Sequence, residues 1–450
     1  MKFTPWLIII CMFLPSCMRV SISDEFNTLK KRTKKDFSHT ITWPNGKQKS
    51  DSNQICTTIQ KGLSRDQAVA IALENNPMLL TAFETLGIAK ADLVQASLFQ
   101  NPQLISVFRD PRTVGLRNNI EAEATISLTD FWQVPLQKKV AQDQLEITSR
   151  SIFQTILDTI QATTSAYNHT IFAYQQEDLA QAVVAETEKL RDQIYLRQNY
   201  GFTTDLDTNL TDVLVGHAQL MLADATNQRL NSMLALQELL GINPENSQPI
   251  IFTDNLDDIF NVPDQETMLN YALEHNPRIA IARLKILQYE HLMKLEKART
   301  IQTLDFGVGF ERPAAHNERT TVGPALTLGL PIFDYNQAQK ARAQFLYDQA
   351  KKQLKAEKIH TTQIIKSLYN TIQTLAKQIF IYQEKMLPSG HKALGYTIDF
   401  NEKMQIAMPI IFQTYLALLD VRKNYIKAQQ EYMNAYAQLE QMVSKKLSDF

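Results

Sequence analysis

Residues 136–199 contain neither proline nor glycine, and no other feature constrains the chain as much. An uninterrupted helix over that stretch would reach roughly 95 Å at 1.5 Å per residue. Farther along, apolar residues recur every seven positions: Ile365, Ile372, Ile379 and Met386, with Leu368, Leu375 and Tyr382 interleaved. Ile411, Leu418, Tyr425, Tyr432 and Leu439 repeat the pattern, with Tyr415, Tyr436 and Val443 between them. A sustained seven-residue period means coiled-coil packing, so the Met and Tyr members are seam residues and not a cofactor box. The helices must reverse at two places. In the first, Asn199 to Asp205, Gly201 supplies the turn and Thr204 or Asp205 caps the returning helix. The second lies within Asn401 to Pro409, where Pro409 suits the first turn of the last helix.

The chain also repeats itself. Ala72-Leu73-Glu74-Asn75-Asn76-Pro77 returns as Ala272-Leu273-Glu274-His275-Asn276-Pro277, 200 residues later. Each copy is predicted to join two helices, because proline disfavours helix at the residue before it and suits the first turn of the next helix. Strand-like alternation comes next in both halves. Ile120, Ala122, Ala124, Ile126 and Leu128 alternate with Glu121, Glu123, Thr125, Ser127 and Thr129. Leu304, Phe306, Val308 and Phe310 alternate with Asp305, Gly307, Gly309 and Glu311; Val322, Leu326, Leu328 and Leu330 alternate with Thr321, Gly323, Thr327 and Gly329. Residues 103–109 give a weaker fourth strand. Such runs match the roughly 9–11 residues with which a tilted strand crosses a bilayer. Proline then marks each exit into helix, at Val134-Pro135 and Leu330-Pro331.

Two repeats result: 63–260, with strands in 103–129 and a helical hairpin over 136–241, and 261–450, with strands in 301–330 and a hairpin over 336–445. Ahead of them, residues 1–16 read as a signal peptide: Lys2, then an apolar run from Trp6 to Leu14 too short to span a bilayer. Leu14-Pro15-Ser16-Cys17 resembles a bacterial lipobox, which makes Cys17 the acylated (palmitate-bearing) N-terminus of a lipoprotein. Each buried methylene of such an anchor contributes about 0.8 kcal/mol. Residues 17–62 read as a lipid-anchored, extended leader, because they lack a sustained apolar period. With Cys11 cleaved away and Cys17 acylated, Cys56 stands alone and forms no internal disulfide.

Several function classes drop out. A formal net charge of −1 lacks the basic excess of a nucleic-acid binder. The histidines and cysteines show no zinc-like spacing, and no glycine-rich phosphate loop is present. No enzyme site, cofactor or metal site is therefore predicted. Met404 and Met408, four apart near the second tip, read as packing.

From about residue 63 to 445 the sequence resembles the TolC family of outer-membrane efflux proteins. The likeness is carried by the paired Ala-Leu-Glu-X-Asn-Pro segments, the four amphipathic strands, the turn Gly201-Phe202-Thr203-Thr204-Asp205-Leu206-Asp207, and Asp130-Phe131-Trp132-Gln133-Val134-Pro135-Leu136. The resemblance implies a mainly helical protomer with a small β part, a homotrimer sharing one twelve-stranded transmembrane barrel, and a long periplasmic coiled-coil helical barrel. It implies a passive duct in the bacterial outer membrane, working with a periplasmic adaptor and an inner-membrane pump. Four strands cannot close a membrane barrel alone, and open edges are not tolerated in lipid. In that reading Glu121, Glu123, Asp305 and Glu311 line the pore. Tyr200, Gly201, Thr204, Asp205, Asp207, Met404, Ile410 and Gln413 form the periplasmic gate and adaptor-docking tips. Asp207 matches the family's gate aspartate, whereas Ile410 and Gln413 stand where the second half would carry further acids. The rival readings are a non-conducting periplasmic coiled-coil scaffold lipoprotein and a free-standing porin, the latter leaving the heptads unexplained.

Overall fold

The computed structural model describes residues 20–43, 61–113, 115–243, 250–254, 260–315, 317–403 and 408–450. A short helix, α1 (Ser23–Phe37), comes first. After it come α2 (Arg65–Asn75), α3 (Pro77–Ala96), β1 (Gln103–Arg109), β2 (Asn119–Ser127), α4 (Asp130–Asn199) and α5 (Asp205–Leu240). The second half runs α6 (Gln265–His275), α7 (Pro277–Ala298), β3 (Leu304–Arg312), β4 (Thr321–Leu328), α8 (Gln337–Ile381), a π turn (Tyr382–Met386), α9 (Leu387–Glu402) and α10 (Met408–Val443). The order helix, helix, strand, strand, long hairpin thus occurs twice.

The described residues fall into two units. One takes its residues from Met1–Asn27, Glu84–Ser151 and Ala280–Ala356. It holds a four-stranded antiparallel sheet in the order β1-β2-β3-β4. Side chains of the flanking helices tie down the strand ends. Gln133 Nε2 donates to the Ile301 carbonyl at 3.1 Å, the Gln100 backbone N–H to Asp130 Oδ2 at 2.6 Å, and Asn336 Nδ2 to Glu296 Oε2 at 2.6 Å.

The other unit takes Thr28–Phe83, Ile152–Ile279 and Glu357–Phe450. Its core is built from Tyr167, Phe172, Leu236, Leu240, Met268, Ile365, Ile372, Tyr432, Leu439 and Val443, among others. The heptad positions Ile365, Ile372, Ile379, Leu418, Tyr432 and Leu439 are all buried, so the seven-residue pattern does mark the packed seam. Tyr167 and Tyr432 keep their hydroxyls satisfied by donating to the carbonyls of Leu63 at 2.7 Å and Phe260 at 3.0 Å.

Within this unit lies the reason for the duplicated hexapeptide. Asn76 and Asn276 are 5% and 2% exposed. Each side-chain oxygen caps the following helix, Asn76 Oδ1 accepting from Leu79 N–H at 3.1 Å and Asn276 Oδ1 from Arg278 N–H at 2.9 Å. Each amide nitrogen donates to a carbonyl near the end of a long helix: Leu239 of α5 at 3.1 Å, and Met442 of α10 at 2.9 Å. One side chain thus satisfies an orphan donor at one helix start and an orphan acceptor at another helix end. Gly241 ends α5 with φ +69°, and a Cβ there would sit 2.5 Å from the Asn75 carbonyl oxygen. Only glycine fits both the left-handed backbone and that approach.

Three expectations are corrected. Residues 23–37 form a helix and not an extended leader. Leu29, Thr33, Asp36 and Phe37 are buried, and the Arg32 guanidinium lies 4.0 Å from the Phe153 ring centre while donating to the His275 carbonyl at 3.1 Å. The inward stripe is narrow and Lys30, Lys31, Lys34 and Lys35 are exposed, so local periodicity is faint and tertiary contact stabilises the helix. The first long helix begins at Asp130, not after Pro135. The Thr129 carbonyl accepts from Gln133 N–H at 3.0 Å, and Pro135 forfeits only one early helical bond. Finally, Met386 leaves the seam and is exposed. Pro388 cannot donate to the Glu384 carbonyl, and the π turn at Tyr382–Met386 shifts the phase of the apolar stripe.

Candidate functional site: an amphipathic sheet and the helical tips

Strand register decides which residues share a face, because directly paired residues in an antiparallel sheet point the same way. Ala122, Ala124 and Ile126 pair with Phe310, Val308 and Phe306, which pair in turn with Val322, Pro324 and Leu326. On β1, Leu104 and Phe108 join the same face through Ala124 and Ile120. This apolar face is uncovered: Leu104 is 75% exposed, Leu326 67% and Phe306 44%. A contiguous exposed apolar face of this kind marks a membrane or partner contact. Pro324 is tolerated because β4 is an edge strand.

The opposite face carries the carboxylates, with Ile105 and Val107 of edge strand β1 as its apolar members. Glu121 pairs with Glu311, Glu123 with Gly309, and Ser127 with Asp305, so the register brings all four predicted carboxylates to one side. Like charges directly opposite would destabilise the pair. Arg109 relieves this by forming an ion pair with Glu121, and Asn119 Nδ2 adds a 3.3 Å hydrogen bond. Arg109 was not singled out from sequence. Its parity along β1, in step with Gln103, Ile105 and Val107, is the signal that places it on the polar face. Glu121, Glu123 and Glu311 line a cavity of about 360 Å³, and Asp305 lies in a second one of about 260 Å³.

In the second unit the helices that flank the two reversals pack together. Ile194 of α4, Leu214 of α5, and Ile411 and Phe412 of α10 form one buried cluster. Tyr200, Phe202 and Leu206 are exposed at the first turn, as are Ile410 and Gln413 at the second. Gly201 adopts φ +75°, and its N–H donates to the Gln198 carbonyl at 2.8 Å. Met404 lies outside the described residues. Asp207 and Thr204 form a capping box: Asp207 Oδ2 accepts from Thr204 N–H at 3.0 Å and from its hydroxyl at 2.8 Å, while Thr204 Oγ1 accepts from Asp207 N–H at 3.3 Å. Asp205 Oδ1 accepts from Gln198 Nε2 at 2.7 Å. A tie that sequence reasoning missed lies above the tips, where Tyr415 of α10 donates to Glu186 of α4 at 2.9 Å. Burial, then that carboxylate, push the Tyr415 phenol well above its ordinary range, so the hydroxyl stays a donor throughout physiological pH.

A sheet uncovered on its apolar side and carboxylate-bearing on its other side, in a chain whose helices reach 70 residues, points to a class: the protomer of a membrane channel. Residues 268–396 match the family described as outer membrane efflux protein. The cobalt-zinc-cadmium resistance protein CzcC of Cupriavidus metallidurans is 23% identical over 386 residues, covering 84% of this chain and 87% of that protein. Among solved structures, CusC aligns with a TM-score of 0.71 at 15% identity, over 84% of this chain and 91% of that one. The CmeC outer membrane channel of Campylobacter jejuni aligns with a TM-score of 0.71 at 14% identity, over 91% and 93%. VceC of Vibrio cholerae gives 0.70 at 15% identity, over 85% and 96%. The chain is thus similar to outer membrane efflux proteins, in the matched segment 268–396 by the family pattern and over most of its length by fold.

Proposed function

We propose that three copies of this protein form the outer-membrane duct of a tripartite export system, receiving cargo from a periplasmic adaptor and an inner-membrane pump. The observation that carries this reading is the sheet, whose apolar face is uncovered while the carboxylates gather on the opposite face. Four strands leave two open edges, which lipid does not tolerate, so neighbouring copies must close the barrel. The protein acts as a conduit and not as an enzyme, and its partners supply the energy. Divalent metal cations are the cargo class we place first, following the relative named for cobalt, zinc and cadmium resistance. Cysteines at Ile126 and Phe306 are expected to react with lipid-phase probes, and cysteines at Glu123 and Asp305 with aqueous ones, in trimers extracted with gentle detergent. Equal labelling of both faces, or a monomer, would overturn the duct in favour of a coiled-coil scaffold.

Cys17, outside the described residues, is the proposed acylation site. Intact-mass measurement on membrane-extracted protein is expected to show the acyl mass, and Cys17→Ala to abolish it while trimers persist. A mature N-terminus elsewhere would refute the anchor.

The tips around Tyr200–Asp207 and Lys403–Gln413 are the proposed gate and docking surface. Three Asp207 carboxylates near a common axis would repel one another, and multivalent cations would relieve that repulsion. Asp207→Asn keeps an oxygen for the Thr204 cap and removes only the charge, so it isolates the gate role. Planar-bilayer recordings are expected to show weaker block by a trivalent cation in this variant. Unchanged block would leave Asp207 as a capping residue of α5.

A further inference from the structure

The 260 Å³ cavity at the helix-proximal end of the sheet's polar face differs from the acidic one farther along. Its lining contains no apolar side chain. Ligand pockets for organic molecules are lined mostly by apolar and aromatic groups that desolvate the ligand. Here the walls are amides and hydroxyls: Gln103 on β1, Thr125 and Ser127 on β2, and Gln133 and Gln302 on the flanking segments. The single charge is the Asp305 carboxylate, directly opposite Ser127 on β2 and Thr327 on β4. Among the described residues Asp305 makes no ion pair, in contrast to Glu121 with its Arg109. Some lining groups are already fixed: Gln133 Nε2 is held by the Ile301 carbonyl, and Gln302 Nε2 by Asp334 at 3.0 Å. Donating through nitrogen leaves both amide oxygens as acceptors.

We infer that this cavity is an outer-sphere site for a hydrated divalent cation. The inference rests on the reading of this face as the duct wall and names what that wall holds. A volume of 260 Å³ has room for roughly eight waters at about 30 Å³ each, enough for an ion with its first shell. The waters of that shell donate hydrogen bonds to the oxygens of Asp305, Gln103, Thr125 and Ser127. No imidazole or thiolate is present to strip the shell from a transition metal, and one carboxylate cannot replace several waters on a hard cation. Binding through the shell is weak and fast, as a conduit requires: favourable enough to enter, loose enough to leave.

Water-proton relaxation enhancement by Mn²⁺ tests this on the full chain in detergent, because it detects bound Mn²⁺ that has kept exchangeable waters. In an Asp207→Asn background the chain is expected to show a weak site that Asp305→Asn weakens about tenfold and Glu123→Gln does not. Gln103→Leu, on the edge strand, is expected to weaken it by about two- to threefold, and Glu266→Gln on α6 to leave it unchanged. Identical titrations with and without Asp305→Asn in that background would overturn the site, as would bound Mn²⁺ without enhancement, which would mean inner-sphere ligation. Bilayer recording separates this outcome from failure of the duct. A protein that never conducts sinks the duct reading, while the Mn²⁺ titration still decides the site. A conducting protein whose titration ignores Asp305 sinks the site alone.

Discussion

Asn276→Ala is expected to lower stability by about 2–4 kcal/mol, and Asn76→Ala by a similar amount. The loss has two parts. Removing the cap of α7 or α3 costs about 1 kcal/mol. Removing the amide donor leaves the buried carbonyl of Met442 or Leu239 unsatisfied, which costs about 1–3 kcal/mol more. The hydrogen bonds of the two asparagines share no partner, so the double variant should lose nearly the sum of the single losses. Glu274→Gln, within the same motif but exposed, should shift the transition by less than about 0.5 kcal/mol. Denaturant midpoints followed by circular dichroism decide the matter. An Asn276→Ala midpoint indistinguishable from that of Glu274→Gln would remove the junction role assigned to the motif.

The second large effect lies in the sheet. Phe306 sits on the uncovered apolar face toward its helix-proximal end, between Ile126 and Leu326. Phe306→Arg places a guanidinium against lipid at a cost of about 1–2 kcal/mol per chain, between the midplane and interface values. In a three-fold assembly that cost recurs three times, so membrane-inserted trimers should be lost. Thr327→Arg is the informative contrast, because Thr327 pairs with Asp305 on the polar face and a cation there meets water and a carboxylate. The yield of trimer from outer-membrane fractions reads both. Equal yields would show that the apolar face does not meet lipid.

Both predictions depend on features that the sequence made visible to different degrees. The hexapeptide was legible as a repeat and its proline as a helix start, but the work of its asparagine was not. Asn276 donates to a residue 166 positions away, and no local pattern announces a contact of that span. The carboxylate face was legible because strand alternation has a period of two and does not depend on what the strand pairs with. That Glu121 stands against Glu311 required the register, and so did the polar pocket around Asp305.

The long helices were determined by the sequence alone. Freedom from proline and glycine over 136–199, together with the seven-residue apolar period, fixes helix and seam by local geometry. Tertiary structure decided the exceptions. Ser23–Phe37 is helical because Leu29, Phe37 and Arg32 find partners far along the chain, which outweighs a weak local signal. Asp207 has its carboxylate turned to Thr204, a matter of side-chain geometry at a helix start that residue identity leaves open. Short-range periodicity fixes elements because the forces behind it act within a few residues. Which buried donor meets which acceptor is settled only when distant segments pack, since an unpaired polar group in the core costs about as much as a hydrogen bond is worth.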